Sequence, residues 1–188
     1  MQMEFYLINR EYINMLKKTM LASSLAILSV VMINAHAIDG TINFTGEVVT
    51  APCVVATDSI NQHINMGQVK TSALVKKGSK SRPTPFQINL EECDTTTLKT
   101  ANVTFAGVSD SLDKTVLSIT PDAGSARNVG IEISTGEGTK VPLNTPSSDF
   151  ALKAGQNIMR FQSAYIATAD FATAGHANGI ADFTVDYK

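Results

Sequence analysis

Ile38-Asp39-Gly40-Thr41-Ile42-Asn43-Phe44-Thr45-Gly46 reads as a short strand placed where a chain end would lie after export processing. Strand side chains alternate between two faces, so Ile38, Gly40, Ile42 and Phe44 share one side and Asp39, Thr41, Asn43 and Thr45 the other. Chain ends fray unless something ties them down. An apolar strand at such a place either docks on its own body or serves another molecule, and that choice decides the function.

The residues before this stretch have the features of an export signal. Lys17 and Lys18 form a basic patch, and an apolar run of about 14 residues, Met20 to Ile33, follows. That run is short of the ~20 residues needed to span a bilayer. Ala35-His36-Ala37 is a small-x-small cleavage site, with His36 in its tolerant middle position. Residues 15–37 are therefore read as a signal peptide and residues 1–14 as a misassigned start or an extension. Cleavage after Ala37 leaves 151 of the 188 residues. No later apolar run is long enough to cross a membrane, so an exported product is expected.

A chain of this size suits one domain that buries roughly 68–70% of its unfolded surface. Without the leader it carries 12 basic and 15 acidic residues, a net charge of −3. That balance argues against nucleic acid, which calls for a basic face, and against an anionic lipid surface. Cys53 and Cys93 are the only cysteines. An even pair in an oxidising compartment reads as one disulfide. A metal site would need more ligands, and a redox pair would sit at C-x-x-C spacing.

Period-two alternation recurs down the chain. It marks Glu47–Val55, Ile64 and Met66, Phe86 to Leu90, Val103 and Phe105, Leu117 and Ile119, Val129 to Ile133, Phe161 to Tyr165, and Phe183, Val185 and Tyr187. Turn-rich stretches at Gly78–Pro85, Pro121–Ser125, Gly136–Gly138 and Thr145–Asp149 separate these runs. Short strands at such spacing predict an antiparallel sandwich. Only Ser72–Lys77 offers even one turn of helix.

Nothing in this pattern carries catalysis, and no cofactor or metal is expected. His63 and His176 lie outside any nucleophile motif and read as surface groups. Glu91 and Glu92 are adjacent on a strand and should point to opposite faces. Lys76–Arg82 is the densest basic stretch, but its small and turn-forming residues read as a solvated loop. Gly136-Glu137-Gly138 lacks the Lys-Ser/Thr context of a phosphate loop.

The chain resembles the chaperone–usher pilins, in particular major subunits of type 1-like fimbriae. Gly40 to Val49, Ala51-Pro52-Cys53, Met66-Gly67-Gln68-Val69, Phe86 to Leu90, Cys93, Asn128 to Ile131, Phe161-Gln162, Tyr165 and Tyr187 carry the resemblance, in that order behind a signal peptide. Arg160 and Ser163-Ala164 depart from the pattern, which often has Pro and Ala-Arg there. The resemblance implies an all-β, incomplete immunoglobulin-like Greek-key sandwich that lacks its last strand. It implies a donor strand at 38–46 (Ile38, Gly40, Ile42 and Phe44) with Gly40 as register marker, and a pilin domain at 47–188. Phe183, Val185 and Tyr187 would border the groove. A periplasmic chaperone would fill the groove first, and a neighbouring subunit would replace it at an outer-membrane usher.

Physical chemistry fits that picture. An open groove exposes core and unpaired backbone, and a head-to-tail contact that does not close propagates into a filament. Burying Ile38, Ile42 and Phe44 contributes roughly 5–9 kcal/mol gross, at about 1.5–3 per side chain. The expected function is a structural, non-enzymatic fimbrial subunit at the cell surface, with related pilins, chaperone and usher as partners. The alternatives are a minor adaptor subunit of the same kind of fibre, or a small adhesin or lectin-like module.

Overall fold

The structure is a computed structural model, and it describes residues 40–48 and 50–188. The expected leader, Ile38 and Asp39 lie outside the described residues. The chain divides into two units, Met1–Gly46 and Glu47–Lys188. In the first, residues 40–46 have no regular secondary structure.

The second unit is built of strands. β1 is Val54–Val55, β2 Thr84–Cys93, β3 Thr100–Ala106, β4 Leu117–Ser118 and β5 Val129–Thr135. β6 is Lys140–Val141, β7 Phe150–Ala151, β8 Gly155–Ala167 and β9 Asp182–Tyr187. One sheet runs β1-β2-β8-β5-β4, with β6 also on β5; the other runs β7-β3-β9. Every ladder between these strands is antiparallel.

The sequence alternation shows directly which faces meet. Ile88 and Leu90 of β2, Met159 and Phe161 of β8, and Ala101, Val103 and Phe105 of β3 are buried. Phe86 stands opposite Phe161 in the β2–β8 ladder. Their rings meet those of the other sheet: Phe105 lies edge-on to Phe161 at 5.0 Å, and Phe150 to Phe161 at 5.5 Å. Such edge contacts add about 0.5–1.5 kcal/mol each beyond area burial. Phe161 is thus the shared centre of the core.

Cys53 and Cys93 form the expected disulfide, and both are buried. It joins the residue before β1 to the end of β2, where Val54 pairs with Glu91.

Five expectations need correction. Among the described residues of the Glu47–Val55 alternation only Val54–Val55 is a strand, and Ile64–Met66 forms none. Gln62 and Ser59 explain the detour after β1. Ser59 Oγ accepts the Asn89 N–H, and the Gln62 amide donates to Gln87 O at 2.8 Å, so side chains satisfy groups a ladder would have used. The one expected helical turn is a short 3-10 turn at Thr71–Ala73.

Glu91 and Glu92 do not alternate as a regular strand would have them. A register break lies between Leu90 and Cys93, Glu92 has φ 53°, and both glutamates are exposed.

The basic stretch is not only solvated loop. Gly78 N–H donates to Ala167 O and Ser81 N–H to Tyr165 O, which extends the β2 side of β8. Lys80 Nζ then reaches the buried Glu132 at 2.5 Å, and Lys140 approaches the same carboxylate at 3.6 Å. Glu132 lies in β5, all seven residues of which are buried.

Candidate functional site

β9 pairs with β3 alone, in six register pairs from Ala101 opposite Tyr187 to Ala106 opposite Asp182. Among the described residues its other edge has no ladder partner. Its burial alternates: Asp182, Thr184 and Asp186 are exposed, while Phe183, Val185 and Tyr187 are half-buried against the core. Their partners across the ladder, Phe105, Val103 and Ala101, are fully buried. The apolar face of β9 is therefore covered on the β3 side only.

Backbone polarity follows from the hydrogen bonds at the end of the ladder. Thr100 N–H donates to Lys188 O at 3.0 Å and Lys188 N–H to Thr100 O at 2.9 Å. Antiparallel ladders alternate bonded and non-bonded pairs. Asn102 with Asp186 and Thr104 with Thr184 are then bonded pairs, and the pairs between them are not. The other side of β3 agrees. Val103 N–H donates to Ser147 Oγ and Val103 O accepts from Ser147 N–H, so the Val103 backbone faces away from β9. The N–H and C=O groups of Phe183, Val185 and Tyr187 consequently face the open edge. The three residues that offer half-covered apolar side chains also offer free backbone groups.

Across β3 from β9, on the β7 side, Asp149 gathers the polar groups. Asn102 Nδ2 donates to Asp149 Oδ1 at 3.1 Å and Lys188 Nζ lies 3.0 Å from the same oxygen. The Asn102 amide first, and then Lys188, hold the Asp149 carboxyl below its ordinary value. Burial raises the Tyr187 phenol above its ordinary value. Where the β3–β9 pair begins, the chain packs too closely for a side chain. A Cβ at Gly107 would stand 2.6 Å from Leu117 Cδ1 and 3.2 Å from Ile180 O.

The other residues singled out in the sequence lie elsewhere. Gly40 has open space around it, and Ile42 and Phe44 are 79% and 91% exposed. His63 and His176 are exposed. Among the described residues no group of three or more His, Cys, Asp or Glu is placed to hold a metal ion, and no helix is long and apolar enough to cross a membrane. Sequence reading named the apolar residues of β9 but missed Asn102, Asp149 and Lys188. Their only sequence signal is polar character, which most surface residues share.

A family model described as "Fimbrial protein" matches residues 42–188. The chain is 44% identical over 175 residues to long polar fimbria protein A of Salmonella typhimurium, covering 93% of this chain and 98% of that protein. It is 41% identical over 174 residues to a probable major fimbrial subunit of Escherichia coli O157:H7, covering 92% and 98%. Among solved structures it is similar to a chain of a chaperone–usher pilus, with TM-score 0.67 and 25% identity over 79% of this chain and 95% of that one. It is also similar to a type I fimbria protein of Burkholderia pseudomallei, with TM-score 0.57 and 32% identity over 79% and 97%.

Proposed function

The chain belongs to the fimbrial protein family, and from that premise we propose that its open β9 edge is where subunits join. The protein is a structural subunit of a cell-surface fimbria, exported through the periplasm. It assembles with related pilins and uses a chaperone and an usher. The relative named as a probable major fimbrial subunit supports a rod role over an adaptor or adhesin role. A structural role leaves no task for catalysis.

In this reading residues 38–46 of one subunit add as a strand to β9 of the next, and residues 47–188 form the pilin domain that receives it. Ile38, Gly40, Ile42 and Phe44 face the receiving core. Strand addition to a sheet edge draws affinity from main-chain hydrogen bonds and specificity from alternate side chains. One observation carries the proposal: the half-buried side chains and outward backbone groups of Phe183, Val185 and Tyr187 fall on the same residues. The exposed Ile42 and Phe44 supply matching apolar groups two residues apart. The chaperone would use the same edge before a subunit does.

The test appends residues 38–48 after Lys188 through a flexible linker. The fused protein should be a soluble monomer by size-exclusion chromatography, while the unfused mature chain polymerises or aggregates without chaperone. A soluble, stable monomer from the unfused chain would sink the proposal.

A further inference from the structure

On the apolar face only the place of Gly40 separates registers that differ by two residues. Slips of two residues keep Ile42 and Phe44 facing inward, and only slips of one turn them outward. We infer that charges on the polar face select the register, with Asp39 of the incoming strand opposite Lys188 of the receiving subunit. This rests on the strand-addition reading above and names the residues that give it specificity.

The direction is taken from the fold, in which every ladder between strands is antiparallel. Three antiparallel registers keep the apolar residues on the core side with at least two of them over β9. In the first, Gly40 faces Tyr187, Ile42 faces Val185 and Phe44 faces Phe183. The residue without a side chain then meets the largest residue of the edge. On the polar side Asp39 meets Lys188, Thr41 meets Asp186, Asn43 meets Thr184 and Thr45 meets Asp182, with no like-charged pair. Shifting two residues one way places Asp39 opposite Asp186. Shifting two residues the other way places Glu47 opposite Asp182. Both alternatives lose the Asp39–Lys188 pair and gain two facing carboxylates.

The receiving side is ready for such selection. Asp182 and Asp186 are exposed, and Asp182 faces Ala106 across β3. Lys188 is 59% exposed; its ammonium reaches over β3 to Asp149 at 3.0 Å, and it has to turn to the open edge to meet an incoming carboxylate. Directly opposed charges matter in strand pairs, and like charges destabilise them. Because the groups are exposed, the preference should weaken as salt rises.

The experiment uses the full mature subunit, refolded with synthetic peptides of residues 38–48. Register is read by disulfide trapping on the subunit variant Thr184→Cys; both native cysteines are bonded to each other. Residues facing Thr184 lie in non-hydrogen-bonded pairs on the open edge, where Cα atoms stand ~4.5 Å apart, within disulfide reach. Peptides carrying Thr41→Cys, Asn43→Cys or Thr45→Cys report the three registers. A crosslink between Thr41→Cys and Asp186→Cys fixes the direction.

Asn43→Cys should dominate. Asp39→Lys in the peptide, or Lys188→Asp in the subunit, should weaken capture about three- to tenfold at low salt. The doubly reversed pair should restore it. Equal capture in all four charge combinations, or dominant trapping at Thr41→Cys or Thr45→Cys, would overturn the charge-selected register while leaving strand addition intact. Failure of every peptide to bind or crosslink would overturn strand addition itself.

Discussion

Proline scanning along β9 separates the two edges of that strand. Val185 N–H faces the open edge, so Val185→Pro removes a donor that the isolated subunit does not use. Thr184 N–H faces β3, so Thr184→Pro removes a rung of the existing ladder. Proline is tolerated on an edge strand where its N–H would face solvent, and not where the ladder needs it. In the isolated domain Thr184→Pro should cost ~3 kcal/mol or more, and Val185→Pro clearly less.

Capture of a strand should order the two variants the other way. Val185→Pro forfeits one hydrogen bond, about 1 kcal/mol net, and leaves an incoming carbonyl unpaired at a further ~1–3 kcal/mol. Together these weaken capture by about 2–4 kcal/mol, roughly 30- to 1,000-fold. The assay compares affinity for the 38–48 peptide with urea midpoints extrapolated to zero peptide, so that capture and domain stability are read separately. If Val185→Pro captures peptide like the parent, or if the two prolines destabilise the domain equally, the assignment of backbone groups to the open edge is wrong.

Other consequences can be measured in the same way. Gly40→Leu should block fibre growth while chaperone co-purification is unchanged, because Gly40 stands in open space in the single subunit and meets Tyr187 only in the proposed strand addition; normal fibres by electron microscopy would refute this. Replacing Cys53 and Cys93 by serine should lower stability by about 4 kcal/mol, from a loop closed over 40 residues, read as the denaturant midpoint of the strand-fused protein. Asp149 has a lowered folded pKa, so its contribution to stability is present above about 3.9 and is lost as pH falls through the folded value. Asn102→Ala should therefore cost most near neutrality, with the gap to the parent narrowing below about pH 4. A gap that stays constant down to about pH 2 would show that Asn102 does not act through Asp149.

The long strands could be read from sequence because their alternation coincides with burial. Phe86, Ile88 and Leu90 in β2, and Phe183, Val185 and Tyr187 in β9, show period two over enough residues to stand out. β6 and β7 have two residues each, too few to show a period. The alternation at Ile64 and Met66 misled because Ser59 and Gln62 satisfy backbone groups that a strand would have taken. Lys80 looked like one solvated charge among several; its partner Glu132 lies 52 residues away, and no local pattern announces it. The site was half legible. Side-chain alternation named Phe183, Val185 and Tyr187, but which way their backbone groups face depends on the pairing with β3. That pairing is a property of the ladder and not of the strand's own sequence.

The position of the disulfide has a mechanical consequence. β1 holds β2 through two register pairs, Val54 with Glu91 and Val55 with Leu90. A pull on the chain before Cys53 would peel so short a strand one rung at a time. Cys53 precedes both rungs, so tension passes through the covalent bond to Cys93 and into β2. β2 is held along its length by β8, across eight register pairs. Load is thus spread over the centre of the larger sheet, and a ladder of only two register pairs is shielded from it.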